Sequence, residues 1–90
     1  MTPQKAKALI SFKKTRSLME KVVKMVENGE YCIDVMQQNL AAIGLLRSAH
    51  EMLMTGHLNS CFKSAFKTKS SRKQQQMINE ILKVTKLFNK

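Results

Sequence analysis

The sequence predicts an all-α fold: a three-helix chain with a long central helix. Three observations carry this. The 90 residues hold one Pro and three Gly, apolar residues recur at steps of three and four, and no stretch alternates apolar with polar as a half-buried strand would. One small domain spanning residues 1–90 follows, with no internal repeat.

Thr2-Pro3 reads as an N-cap followed by Pro at the first helical position. Leu9, Phe12, Met19, Val23 and Val26 then form a helical stripe, with Arg16 in its one polar slot. Asn28-Gly29 supplies a C-terminal stop. The second helix is expected from near Glu30 to about Phe66. Cys32, Met36, Asn39, Ile43, Leu46, His50, Leu53, His57 and Cys61 follow one seam along it, while Ile33, Leu40, Leu45 and Met52 add apolar surface on other sides. A helix apolar on more than one face cannot hide itself within a chain this short, which points to a bundle with copies of itself. Asn39 and His50, polar groups on that seam, read as interhelix hydrogen-bonding or register positions. Gly56 marks a candidate kink. Residues 67–76, KTKSSRKQQQ, are expected to hold the turn. Ser70 or Ser71 then caps a last helix with Ile78, Ile81, Leu82, Thr85 and Phe88 on one face.

Sixteen Lys and Arg against six Asp and Glu give a formal charge of +10, which favours a polyanionic partner such as nucleic acid. No run approaches the ~20 apolar residues of a membrane span. The N-terminal MTPQKAKALISFKK also lacks the uninterrupted apolar core of a signal peptide. A cytoplasmic chain with reduced thiols is expected. There is no Ser/His/Asp set and no Gly-rich phosphate loop, so the sequence does not read as an enzyme. Six of the seven Met, Met19, Met25, Met36, Met52, Met54 and Met77, scatter over the helical faces as core filler does.

Among the polar residues, MTGHLNSC (54–61) places His57 and Cys61 four apart, about a turn apart on one helical face. Two soft donors so placed can share an ion but do not complete a site. Cys32 lies on the same seam 25 residues upstream, roughly 37 Å away along an intact helix. An antiparallel copy of the helix would bring its Cys32 beside this pair, so a two-fold dimer is expected to form two sites, each with Cys32 from one protomer and His57 plus Cys61 from the other. Two thiolates and one imidazole suit trigonal Cu(I) better than tetrahedral Zn(II). His50, about 10 Å from His57 by helix rise, is too far to add a fourth donor.

Residues 31–61, YCIDVMQQNLAAIGLLRSAHEMLMTGHLNSC, resemble the copper-sensing operon repressor (CsoR) family, which also holds nickel/cobalt, formaldehyde and persulfide sensors. The matching pieces are Tyr31 to Val35, Gln38 six residues after the Cys, and the spacing Cys-x24-His-x3-Cys that ends in His57 and Cys61. The C-terminal INEILKVTKLF is similar to that family's last helix. The resemblance implies dimers that pair into homotetramers, operator DNA bound in the effector-free state, and release on effector binding. A Cys/His/Cys pattern with no His near the N-terminus is that of the family's Cu(I) sensors. Tyr31 matches a Tyr that supports the ligands there, and Glu80 is aligned with a supporting Glu of the last helix.

Departures fall in the first helix, where the family commonly carries a pattern like RLxRIxGQxxGI. Residues 11–22 here read SFKKTRSLMEKV, with Ser11 for the leading Arg and Ser17-Leu18 for Gly-Gln. Ile43 replaces another Arg, with Arg47 one turn later. Lys13, Lys14, Arg16, Lys21, Lys24 and Arg47 keep the basic charge that phosphate contacts need. Two other functions stay open. One is a persulfide- or redox-sensing repressor using Cys32 and Cys61. The other is a copper-binding member without specific DNA binding.

Overall fold

The computed structural model describes residues 1–90, and every regular element in it is helical. Thr2 starts the first helix, α1 (Pro3–Glu27), its hydroxyl accepting the Lys5 N–H at 3.2 Å. Pro3 needs no partner at the first helical position. At the other end Gly29 takes φ +67°, in the left-handed region that glycine adopts without strain. Its N–H donates to the Val26 carbonyl at 3.1 Å, and that of Glu30 to Met25 at 3.0 Å, closing the helix end in a Schellman arrangement. Helix α2 (Cys32–His57) follows. His57 keeps helical dihedrals (φ −63°, ψ −46°), and the backbone passes into a π-helical turn, Leu58–Phe62, and then into the short α3 (Lys63–Lys67). Ser70 caps α4 (Ser71–Phe88) by accepting the Lys73 N–H at 3.3 Å.

The expected second helix is thus present from Cys32 to Lys67, with one turn of different pitch inside it. Residues 67–76 do not all form the turn. Only residues 68–70 leave the helical conformation, because the Ser70 cap lets α4 begin at Ser71.

The chain divides into two compact units, Met1–Gly56 and His57–Lys90. The first is an antiparallel hairpin of α1 and α2, with Gln4 at the start of α1 lying against Gly56 near the end of α2. Its inner seam runs along Gln4, Ala8, Ser11, Thr15, Leu18, Val22 and Met25 on α1, all buried or half-buried. On α2 the matching row is Val35, Gln38, Ala42, Leu45, Ala49, Met52 and Gly56. Both rows step by three and four, as in a coiled-coil seam. Apart from Met25, the buried positions are small: Ala8, Ser11, Thr15, Ala42, Ala49 and Gly56. The Thr15 hydroxyl is satisfied by donating to the Ser11 carbonyl at 2.8 Å, which removes the cost of burying it.

The apolar rows read from the sequence are not this inner face. The stripe of Leu9, Phe12, Arg16, Met19, Val23 and Val26 lies one residue further along than the α1 seam. The row from Cys32 through Leu53 is displaced by one residue from the α2 seam in the same way. Leu9, Phe12, Val23 and Val26 stay exposed, as do Met36 (53%), Ile43, Leu46 and Leu53. The helices run antiparallel, so a one-residue advance turns both rows to the same side of the hairpin. The hairpin therefore has one broad apolar face left open within the chain. Gly56, expected as a kink, is instead a point of close approach, and the irregular turn begins two residues later.

In the second unit, Phe62 and Phe66 stack with centroids 4.6 Å apart, and the Gln74 side-chain amide donates to the Thr68 carbonyl at 3.2 Å. Of the expected apolar face of α4, Ile78 and Ile81 are half-buried together with Met77, while Leu82, Thr85 and Phe88 remain exposed.

The two helix-interior glycines respond oppositely to an added methyl or larger group. A Cβ at Gly44 meets nothing within 4 Å, whereas one at Gly56 lies 3.0 Å from the Gln4 Cβ. Gly44→Ala should raise stability by about 0.5–1 kcal/mol through helix propensity. Gly56→Leu should lower it by about 1–3 kcal/mol through overpacking. Thermal melts followed by circular dichroism at the helix band check both signs.

Candidate metal centre

Cys32 opens α2 and His57 closes it. The 26-residue helix between them is uninterrupted, so its ends stand roughly 37 Å apart. Cys61 sits in the π turn. Both cysteines are exposed and neither forms a disulfide; His57 is half-buried. The Ser60 hydroxyl and the Cys61 sulfur are 3.9 Å apart, a weak contact that leaves the thiol available. His57 and Cys61 therefore share one short helical stretch, while Cys32 is not brought to them by its own chain. No three His, Cys, Asp or Glu side chains of one chain come together where they could hold an ion.

The π turn was not legible in the sequence. It spreads one turn over more residues than an α-helix does, so the Cys61 side chain is rotated back relative to where uniform helix would aim it. The feature that could have flagged it is the neighbouring Gly56, a weak helix former in the turn just before.

Tyr31 immediately precedes α2. Its side chain is 70% exposed, and its carbonyl accepts the N–H groups of Asp34 (3.0 Å) and Val35 (3.2 Å). Glu80 is exposed on the polar face of α4, where it lines a shallow depression with Arg72, Gln75, Gln76, Asn79 and Lys83. It does not join His57 and Cys61 in a three-membered cluster.

The basic residues divide between faces. Lys7, Lys14 and Lys21 recur at seven-residue steps on α1, one position before the inner seam, and Lys24 extends the row; all four are exposed. This row lies on the opposite side of the hairpin from the apolar face. Lys13 and Arg47 point away from the seam on their own helices, and Arg16 stands among the large apolar residues of the open face. Lys7 escaped the sequence reading, although its i, i+7 relation to Lys14 was a usable signal. Ser11, where the resemblance puts an Arg, is buried in the seam, and Ile43 belongs to the apolar row. In this chain Ser11 serves packing, while Ile43 is exposed on the open face.

A family model described as metal-sensitive transcriptional repressor matches residues 4–87. The copper-sensing transcriptional repressor CsoR of Mycobacterium tuberculosis (strain H37Rv) is 35% identical over 65 residues, covering 72% of this chain and 55% of that protein. The Mycobacterium ulcerans protein of the same name is 34% identical over 65 residues, covering 72% and 56%. The Bacillus subtilis one is 33% identical over 66 residues, covering 73% and 62%. The chain thus spans little more than half the length of the curated relatives it matches.

Deleting Asn59, an exposed residue of the π turn, would restore uniform α-helix and shorten the His57–Cys61 spacing to three. Helix content by circular dichroism should be unchanged. Affinity for a soft monovalent metal should fall roughly tenfold or more, as expected when donor orientation is lost.

Proposed function

The chain belongs to the metal-sensitive transcriptional repressor family, and from that premise we propose that it is a Cu(I)-responsive repressor. It holds operator DNA when metal-free and releases it when Cu(I) binds at a site shared by two protomers. The family is one of transcriptional repressors, not of enzymes, and no helix here is long and apolar enough to cross a membrane. The protein is read as cytoplasmic, a homodimer that pairs into a tetramer.

The placement of Cys32 and His57 at opposite ends of one uninterrupted helix supports the shared site most strongly. Each protomer supplies His57 and Cys61 to one site and Cys32 to the other. The donor set fits the ion: two accessible thiols outside any disulfide and one imidazole make a soft three-donor group. Cys32 of one protomer, with His57 and Cys61 of the other, would hold the ion and so link the two protomers' α2 helices at that point. Tyr31 beside Cys32, and Glu80 from α4, are assigned to orienting the ligands. Both thiols must lose their protons to act as donors, so loading weakens as the pH falls. Release of DNA requires only that the loaded arrangement fit the duplex less well, and the shift is bounded by that difference in affinity.

DNA binding is assigned to the basic side of the hairpin. Lys14 and Lys21 lie in the row with Lys7 and Lys24, and Lys13, Arg16 and Arg47 contribute charge around it. The relatives' name, copper-sensing transcriptional repressor, supports copper over other metals. The exposure of both thiols favours a second reading, a persulfide- or redox-sensing repressor in which Cys32 links to Cys61 of the partner subunit. The use of Ser11 for packing favours a third, a copper-binding member without specific DNA recognition.

An anaerobic Cu(I) titration against a competing chelator tests the site. One Cu(I) per protomer is expected, with binding lost in His57→Ala, Cys61→Ser and Cys32→Ser. Mixing the Cys32→Ser and Cys61→Ser chains should restore one site per mixed dimer. Binding that ignores His57 would remove copper in favour of thiol chemistry. On DNA from the protein's own upstream region, the log–log dependence of affinity on salt should flatten by about one unit for each phosphate contact that Lys14→Ala or Lys21→Ala removes. An unchanged slope would place the interface elsewhere.

A further inference from the structure

The open row on α2 is a near-palindrome. Cys32, Met36, Asn39, Ile43, Leu46, His50, Leu53 and His57 step by four, three, four, three, four, three and four, and the row reads the same in either direction by class. It is also a row whose apolar residues the chain leaves uncovered, while His50 and His57 are half-buried. Met36, Ile43, Leu46 and Leu53 are exposed large apolars, and Cys32 and Asn39 are exposed with them. Its inner neighbour, the row of Ala42, Ala49 and Gly56, is already occupied by α1.

We infer that this row is covered by the same row of a second copy, running antiparallel, and that Asn39 sets the register by pairing with the partner subunit's His50. The inference rests on the two-fold dimer of the proposed function and goes beyond it by naming what aligns the two helices. In antiparallel knobs-into-holes packing the two alternating seam positions face each other across the axis. One alignment places Ile43 opposite the partner's Leu46, Met36 opposite the partner's Leu53, Asn39 opposite the partner's His50, and Cys32 opposite the partner's His57. Every apolar residue then meets an apolar one, and every polar residue a polar one.

The neighbouring alignments are displaced by one heptad either way, and both break this match. A slip in one direction sets Asn39 against the partner's Ile43 and Cys32 against the partner's His50. A slip in the other sets His50 against the partner's Leu46 and Asn39 against the partner's His57. Each slip buries polar groups against hydrocarbon, which apolar pairs alone would not penalise. The two Asn39–His50 pairs sit symmetrically about the centre of α2, where they stop the helices sliding and so deliver each Cys32 to a His57. They act as positioning residues and make no contact with the metal.

The test reads register directly and needs no metal, so a failure of the copper reading leaves it intact. In a Cys32→Ser/Cys61→Ser background, one reporter carries Met36→Cys with Leu53→Cys. The other carries Met36→Cys with Leu46→Cys, a pair that meets only in a slipped register. Disulfide-linked dimer is measured after mild oxidation. With Asn39 and His50 in place, the 36–53 link should exceed the 36–46 link about tenfold or more. Asn39→Leu/His50→Leu should keep the dimer but bring the ratio toward one, and the exchange Asn39→His/His50→Asn should restore most of the preference. An unchanged ratio in the double leucine variant would overturn the pairing while leaving the antiparallel dimer. Absence of the 36–53 link in the parent background would overturn both.

Discussion

Close approach of α1 and α2 through small residues is the constraint from which the rest of the molecule follows. Ala8, Ser11 and Thr15 face Ala42, Ala49 and Gly56, and no large side chain is fully buried anywhere in the chain. A seam built this way holds two helices near one another but takes little apolar surface out of water. The exposed large apolar row is displaced by one position to one side, and the lysine row by one position to the other. Adjacent rows thus acquire separate tasks: hairpin closure and an apolar face on both helices and, on α1, a basic face. An apolar face of this extent on a small chain marks an interaction surface.

The same arrangement accounts for the divided ligand set of the proposed site. A metal site enclosed in one chain needs three donors converging from different directions. This chain has two long helices closed on each other by residues too small to leave room between them. Donors placed on the open row can meet only across a second copy. Cys32 and His57 occupy the two ends of that row, so at the proposed shared site loading and the mutual position of the helices would be one event. This geometry suits a sensor, since the ligand's binding energy is spent on an arrangement of helices and not on folding a single chain. The π turn refines the placement by setting the aim of Cys61 independently of the regular helix that carries His57.

The family pattern and the structure meet most informatively where they diverge. Ser11 and Ile43 stand where the resemblance puts arginines; Ser11 is buried in the hairpin seam and Ile43 lies on the open apolar face. Lys7, Lys14, Lys21 and Lys24 retain a continuous basic row regardless. Charge suited to phosphate contact therefore persists.

Sequence alone determined the helical class, the caps at Thr2-Pro3, Asn28-Gly29 and Ser70, the length of the central helix, and the His57–Cys61 pair. Each is a local property, set by hydrogen-bond partners within a few residues or by helical periodicity. Sequence did not determine which of two adjacent rows faces inward. Ranking by hydrophobicity selects Leu9, Phe12 and Met36, whereas the hairpin selects Ala8, Ser11 and Ala42, because the inner face is set by how closely two backbones can approach. The π turn was equally hidden, since an i, i+4 pair looks the same in sequence whatever the pitch beneath it. Tertiary packing decided both, because steric fit between helices is a relation between distant residues that no local pattern contains.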